Sequence, residues 1–233
     1  MKKLLLIPAC AALMAFTMSG ETDDDCNGYW MVEKGVTLEY YDYNAKDKLE
    51  GSQTSTITEL NTVEGVLNAT IHSVTKDDKG KLTSEGDFGF TCKDGEITID
   101  IKSMMDPSMT EEFKDMEVKI DQTDLVYPAT LTPGETLPDG KLTMTVSTGG
   151  ITVMTIVVDV VDRKVEASES VTVPAGTFEC IKMSQTNKMD MGMMKMTTKS
   201  IEWVTLGVGV VRSETYDKDG ALESYRVLNK IIE

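Results

Sequence analysis

Residues 169–183, ESVTVPAGTFECIKM, have the pattern of a strand, a tight turn and a second strand. Val171 and Val173 alternate with polar residues before the turn, and apolar residues return from Phe178 onwards. Proline fixes φ and glycine accepts positive φ, so Pro174-Ala175-Gly176 separates two extended segments. This stretch therefore predicts a β-hairpin, and the rest of the chain can be compared with its pattern.

Most of the chain repeats this pattern of short apolar segments joined by polar turns. The clearest half-buried strand contains Ile97, Ile99 and Ile101, which alternate with Thr98 and Asp100. Segments of this kind suggest about ten to twelve strands. Because short turns join them, the fold class is predicted as mainly β (α+β), a single curved antiparallel sheet or open half-barrel.

One short helix is predicted over residues 105–120. Asp106 can cap it, and Pro107 suits the first helical position. A helix of about ten residues is too short to be stable alone, so we expect it to lie against the concave face of the sheet. The proline-rich residues 125–140 are predicted to be a loop. The apolar stripe of the helix consists of Met109, Phe113 and Met116.

Residues 1–20 have the form of a secretory signal peptide, with Lys2 and Lys3 before an apolar run and small residues at its end. That run is shorter than the roughly 20 residues of a membrane span, so no transmembrane segment is predicted in the mature chain. Residues 21–30 form an acidic lead, and residues 31–233 a single β-rich domain. Cys10 follows a weak lipobox-like sequence, but only six residues would form its apolar region.

The charge and the residue types exclude several classes of function. The net charge of −16 disfavours nucleic acid and anionic membranes as partners, because both require basic patches. The chain has a single histidine, His72, so a Ser-His-Asp or Cys-His site would rest on that residue alone. We therefore predict a protein that is not an enzyme, with no catalytic residues, no metal and no cofactor.

Three cysteines remain after removal of the signal peptide: Cys26, Cys92 and Cys180. Their spacings are too wide for a zinc ribbon. A secreted chain permits a disulfide between two of the three, and the sequence leaves all three pairings open. Buried free thiols are the alternative.

Methionine is the compositional anomaly, because six of the 16 methionines lie in residues 183–196. They can fill a core, bind copper(I) through thioethers, or form an adaptable surface for a lipid or hydrophobic peptide. The candidate ligand-binding residues are Met109, Phe113, Met116, Met183, Met189, Met191 and Met193.

Several short segments, in order along the chain, share a family pattern. They are CNGYW at 26–30, EKGVTLEY at 33–40, VPAGTFEC at 173–180, Glu202-Trp203, GVG at 207–209 and Tyr216-Asp217. In these segments the chain resembles the TapB-like family of envelope proteins of Gram-negative bacteria. The resemblance implies a curved antiparallel half-barrel with a helix against its concave side, as in lipoprotein carriers. It assigns no catalytic residues, because that family has no established activity.

The predicted function is that of a non-enzymatic exported protein, located in the periplasm or associated with the outer membrane. Its curved sheet would bind a hydrophobic ligand such as a lipid or acyl chain. The alternative is a structural module or one that binds another envelope protein.

Overall fold

The computed structural model describes Cys26, residues 28–104, residue 113 and residues 115–233. The predicted signal peptide and residues 21–25 of the acidic lead lie outside the described residues. Thirteen β-strands dominate the described part. They are β1 Thr37–Asn44, β2 Leu49–Val63, β3 Val66–Asp77, β4 Leu82–Lys93, β5 Glu96–Ile99, β6 Glu117–Thr123, β7 Leu125–Tyr127, β8 Gly140–Thr148, β9 Ile151–Val173, β10 Gly176–Asp190, β11 Lys195–Thr205, β12 Gly209–Tyr216 and β13 Leu222–Ile232.

The strands form one antiparallel sheet in the order β6-β8-β9-β10-β11-β12-β13-β1-β2-β3-β4-β5-β7. Its two edge strands, β6 and β7, are separated in the chain by Asp124 alone, so the two edges must approach each other. The start of β8 also touches β7, because a Cβ at Gly140 would lie 2.4 Å from Leu125 Cδ2. The mainly β, single-sheet prediction is confirmed, and the sheet is more closed than the predicted half-barrel.

The hairpin predicted at residues 169–183 is present, with Val173 paired to Gly176 across the turn. Its strands carry irregularities in register near Met183 and Ser184, and such bulges bend and twist a sheet. The turn reaches the opposite part of the sheet, where the Ala175 amide donates to the Leu228 carbonyl at 3.3 Å. The long hairpin therefore contributes to the curl of the sheet as well as to its pairing.

The predicted helix over residues 105–120 is wrong at its C-terminal end. Residues 117–120 belong to β6, where Val118 pairs with Val146 and Ile120 with Met144. Residues 105–112 and 114, including Met109, lie outside the described residues. In the part of the chain that the structure describes there is no α-helix, and a short 3₁₀ helix, Ile101–Met104, follows β5.

The predicted loop over residues 125–140 contains β7, which pairs with β5 through Leu125, Val126 and Tyr127. The strand is too short to show a two-residue period in the sequence, and its first and last residues, Leu125 and Tyr127, are buried. The correction matters because β7 is the edge that approaches β6 and nearly closes the sheet.

Two groups of buried side chains stabilise the fold. Trp203 and Val204 are neighbours in β11 and belong to different groups, as expected for alternate residues of a strand. The second group lies where the β9–β10 hairpin crosses β12 and β13: Tyr40, Val173, Cys180, Trp203, Val211, Val227 and Leu228. The larger group, here the interior cluster, consists of Cys26, Ile57, Ala69, Ile71, Phe90, Cys92, Ile97, Ile101, Leu125, Tyr127, Leu131, Leu137, Leu142, Met144, Val146, Ile156, Val160, Val165, Met183 and Val204.

Candidate functional site

Consecutive turns alternate between two ends of the barrel, because neighbouring strands are antiparallel. One end carries the turns β1–β2, β3–β4, β8–β9, β10–β11 and β12–β13. Three of these turns, β1–β2, β3–β4 and β12–β13, share one design, in which an Asn or Asp side chain accepts hydrogen bonds from backbone amides two and four residues later. The three residues are Asn44, Asp77 and Asp217.

The remaining two turns at this end are apolar. Residues 142–158, which include the β8–β9 turn, contain no charged side chain, and neither do residues 191–194 of the β10–β11 turn. Gly149 and Gly150 have φ values of 55° and 76°, the left-handed pair that a two-residue hairpin turn requires. The exposed tips of these two hairpins, residues 148–153 and 192–194, are called the uncharged rim below.

Behind the uncharged rim, methionines cover the inner face of the sheet. Met189 pairs with Met196 on β11 and with Val158 on β9. Met154 and Met191 are partly buried and pack against the interior cluster. Thioether side chains therefore line one side of the opening of the barrel, along β9, β10 and β11.

The predicted ligand-binding residues occupy different environments. Met183 is buried in the interior cluster, deep in the barrel. Phe113 and Met191 pack against that cluster, and Met189 is half-buried. The exposed members are Met116 at 42% and Met193 at 103% relative exposure. Met109 lies outside the described residues.

A small apolar crevice lies between the segment before β1 and strands β1 to β4 in the described part of the chain. Its volume is about 40 Å³, well below the several hundred Å³ of an ordinary ligand pocket. The crevice is lined by Trp30, Met31, Val36, Leu38, Ser55, Ile57, Ile71, Phe90 and Val208.

The interior also holds Arg163, a charged residue that is only 1% exposed. Its Nη1 atom donates to the carbonyl of Val126 at 3.1 Å and to that of Pro138 at 2.5 Å. Its Cζ atom lies 4.5 Å from the centre of the Tyr127 ring. Arg163 thereby links β9 to β7 and to the segment between β7 and β8, across the line where the sheet nearly closes.

Arg163 is only partly satisfied, because Nε and Nη2 are buried and have no hydrogen-bond partner within the described part of the chain. Burial raises the pKa of Tyr127 to about 12. Burial also raises the pKa of Glu202, and the positive charge of Arg163 opposes that shift. The burial of Arg163 leaves no local signal in the sequence, because the residue stands between Asp162 and Lys164 in a charged stretch.

A polar groove of about 430 Å³ crosses the outer face of β9, β10 and β11. Within it, Ser184 Oγ donates to Glu166 Oε1 at 2.6 Å, a contact that lowers the pKa of Glu166. Lys182 Nζ lies 3.6 Å from Glu169 Oε1, and Trp203 Nε1 donates to the same oxygen at 2.5 Å. Glu169 and Lys182 of the groove are thus paired with each other, and Glu166 pairs with Lys164, whose Nζ lies 3.3 Å from Glu166 Oε2.

Cations and aromatic rings alternate across the same face. Lys182 Nζ lies 5.1 Å from the Trp203 ring centre, and Arg212 Cζ lies 4.9 Å from that of Tyr225. Tyr225 stacks on Tyr43 with ring centres 5.1 Å apart. Cation–π and stacking contacts of this kind hold neighbouring strands together and account for these residues structurally.

The described residues contain no group of three or more His, Cys, Asp or Glu side chains that could hold a metal ion. His72 lies on β3, with Nδ1 2.8 Å from Asp87 Oδ1 and Nε2 3.2 Å from Glu85 Oε1. The hydrogen bond to Asp87 is the main cause that raises the pKa of His72. The arrangement is a surface ion pair.

The structure joins Cys26 to Cys92 in a disulfide and leaves Cys180 as a buried free thiol. Burial raises the pKa of Cys180 to about 11, so the thiol stays protonated and unreactive near neutral pH. Among the described residues no helix has the length and apolar character needed to cross a membrane.

Antiparallel strands curled around an apolar interior define a nearly closed β-barrel protein. The DUF3108-like family model matches residues 33–228, and the chain belongs to that family. No curated protein matches the chain.

Two solved structures share the fold. A Bacteroides fragilis protein, described as exported and with a YmcC-like fold, is 22% identical with a TM-score of 0.70, over 89% of this chain and 100% of that chain. A Parabacteroides distasonis protein, described as a lipoprotein, is 23% identical with a TM-score of 0.71, over 89% of this chain and 99% of that chain. At this level of identity the likeness establishes the fold.

Proposed function

We propose that this protein is an exported, non-enzymatic binding protein that holds a hydrophobic ligand, such as a lipid or acyl chain, at the opening of its curled sheet. The observation that carries the proposal is the set of partly buried inner-face side chains behind the uncharged rim. These side chains are Phe113, Met154, Met189 and Met191.

Methionine suits this role because its unbranched, polarizable side chain adapts to variable apolar shapes. The crevice of about 40 Å³ is too small for an acyl chain, so a ligand would enter by displacing side chains at the opening. Met189 and Met191 can move more easily than the buried Met183, since they are only partly covered.

The absence of enzymatic activity is part of the proposal. His72 is a surface residue of an ion pair. The Ser184–Glu166 contact in the outer groove lacks a histidine, because the chain contains no other. The groups needed for acyl transfer are therefore not assembled around this serine.

The proposed location is the periplasm or the surface of the outer membrane. The structural neighbours are described as exported or as a lipoprotein. The TapB-like resemblance and the signal-like residues 1–20 favour the same compartment. The Cys26–Cys92 disulfide fits an oxidising environment.

The test is native mass spectrometry of the purified mature protein, followed by measurement under denaturing conditions. A lipid-range mass that is lost on denaturation is the expected result. The fatty acid cis-parinaric acid, which fluoresces when bound, then measures affinity in delipidated protein. We expect Met191→Asp to weaken its binding by about tenfold, because a charge enters the apolar opening. Val63→Asp, at a 60% exposed position at the opposite end of the barrel, is the matched control.

A clean apo mass together with no parinaric acid binding would refute the ligand proposal. Equal binding by Met191→Asp and the wild type would place any ligand elsewhere in the protein. Both measurements use the folded chain, whose intactness is checked by the midpoint of urea unfolding.

The second candidate function is binding of another envelope protein through the edge strand β6. Within the described residues β6 pairs with β8 on one side, and all of its residues except Ile120 are exposed. A sheet edge whose second side is unpaired accepts an added strand. Pull-down from envelope extracts tests this function. A stoichiometric protein partner favours it over lipid binding.

A further inference from the structure

We propose that the uncharged rim docks on the surface of a lipid bilayer with zwitterionic headgroups, into which Ile151, Val153 and Met193 insert. This inference concerns the outside of the barrel and goes beyond the binding of a ligand at its opening. Docking of the rim does not depend on whether the opening holds a ligand.

The two hairpin tips and the strand segments beside them carry no charge. Charged residues make up 27% of the chain, yet residues 142–158 and 191–194 contain none. Turns at the same end of the barrel that face water use Asn44, Asp77 or Asp217 with lysines beside them. Turn formation alone therefore does not require an apolar tip.

The large apolar side chains of the rim are exposed. Ile151 is 70% exposed and Met193 is fully exposed, so burial of these side chains contributes little to folding. Val153 and Met194 are also more than half exposed. Large apolar side chains grouped on a surface mark an interaction site.

The shape of the rim favours a bilayer over a protein as its binding partner. A stable protein interface buries about 800 Å² on each partner with close complementarity. Two hairpin tips present convex projections, which suit neither a second copy nor a flat protein surface. A bilayer surface deforms around such projections and needs no complementary shape.

The β8–β9 tip extends further from the barrel than the β10–β11 tip. Asp190, at the end of β10, pairs with Val157, so β9 continues for six more residues to Ile151, about 20 Å further along the strand. Because strands of curled sheets tilt by about 40° from the barrel axis, a difference in height of about 15 Å remains between the two tips. Ile151 and Val153 therefore reach the bilayer first, and Met193 reaches it when the barrel lies tilted on the surface.

Charge determines the type of lipid. Lys188 and Lys195 lie just behind the β10–β11 turn, where long side chains can reach phosphate groups while their stems cover apolar surface. Lys195 Nζ is 2.7 Å from Asp190 Oδ2, so its charge is partly neutralised. The net charge of −16 repels an anionic surface as a whole, which favours zwitterionic lipids.

The first experiment is flotation of the full mature protein with phosphatidylcholine vesicles. The double variant Ile151→Ser/Met193→Ser should reduce the bound fraction by about tenfold, because two apolar side chains are lost from the interface. Val63→Ser is the matched control: Val63 is 60% exposed next to the β2–β3 turn, at the opposite end of the barrel. It should bind within about twofold of the wild type.

The second experiment locates the inserted residues. Ile151→Trp and Met193→Trp should show blue-shifted fluorescence that vesicles of brominated phosphatidylcholine quench. Val63→Trp should show neither change on vesicle addition. The native Trp30 and Trp203 supply the background, which the wild type measures.

Two results would overturn the proposal: a wild type that fails to float, or a double variant that floats as well as the wild type. Self-association of the wild type without vesicle binding, lost in the double variant, would instead identify the rim as an interface between copies and would also overturn it. Parinaric acid binding by the double variant is measured in parallel. Retained ligand binding with lost flotation separates this proposal from the proposed function.

Discussion

The interior cluster and the uncharged rim are both apolar, but they differ in what surrounds their side chains. Leu142 is completely buried near the start of β8, whereas Ile151, at the far end of the same hairpin, is 70% exposed. The interior is tied by a disulfide and by the hydrogen bonds of Arg163. The rim has no comparable constraint among the contacts described above.

Buried apolar side chains stabilise the fold, whereas exposed apolar side chains are available to contact another molecule. A buried side chain stabilises the native state by the apolar area that folding removes from water. An exposed side chain gains little of this energy, and it increases the risk of aggregation. An exposed apolar tip therefore calls for an explanation outside the stability of the fold.

The largest expected effect concerns the interior. Cys92→Ser removes the disulfide that closes 66 residues of sequence, which should lower the free energy of unfolding by roughly 4 kcal/mol. Urea unfolding of oxidised protein measures the loss. Cys180→Ser is the control, since that thiol is free. Equal stability of Cys92→Ser and the wild type would show that the bond contributes nothing to the closed interior.

The next prediction compares a buried and an exposed apolar residue of the β8–β9 hairpin. Leu142→Ala should cost about 3 kcal/mol, because it leaves a cavity in the packed interior. Ile151→Ala should change stability by less than about 0.5 kcal/mol. Chemical denaturation of both variants provides the measurement. A large loss for Ile151→Ala would mean that the rim is part of the core and would remove the distinction.

A smaller effect is expected at the charged turns. Asn44→Ala removes the acceptor of the Lys46 and Lys48 amide hydrogen bonds and should cost about 1 kcal/mol. Asn44→Asp keeps an acceptor oxygen and serves as the control. Vesicle flotation of Asn44→Ala should match the wild type. Loss of flotation here would contradict the assignment of docking to the uncharged rim.

The smallest effect is the pH response of His72, on the outer surface. Its pKa is raised above 6.5, mainly by the hydrogen bond to Asp87. The resulting stabilisation is complete below the unfolded-state pKa and is lost as pH rises through the raised value. Titration of His72 by NMR checks the direction. In Asp87→Asn the pKa should fall towards its ordinary value, and an unchanged pKa would assign the shift to another group.

Much of the sheet was predictable from local patterns. The hairpin around Pro174-Ala175-Gly176 was predictable because its turn residues and alternating strands indicate the same structure. The strand with Ile97 and Ile99 was predictable because period-two alternation reports burial on one face. Both signals are carried by consecutive residues and need no distant contact.

The segment around β6 could not be predicted in this way. Asp106 and Pro107 are good helix-start residues, and the methionine spacing fits a helix, but Val118 and Ile120 also alternate with charged residues. Pairing along β8 decides between the two readings at residues 117–120. Weak local propensity yields to tertiary context when a partner strand is available.

The candidate site was predictable only in part. The cluster of methionines in residues 183–196 marked the β10–β11 hairpin, but a strand pattern cannot show how far each side chain is buried. Met183 and Met193 belong to the same methionine-rich segment, but Met183 is buried and Met193 is fully exposed. Arg163 became visible only when β7 and Pro138 were placed beside β9.

The sequence alone determined that this is an acidic, mainly β chain with hairpins and a methionine-rich segment, because composition, alternation and turn chemistry are local properties. The tertiary structure decided the closure of the sheet, the Cys26–Cys92 pairing, the burial of Arg163 and the uncharged rim. Each of these depends on which distant residues meet when edge strands approach and turns collect at one end. That information resides in long-range packing, which no single stretch of sequence contains.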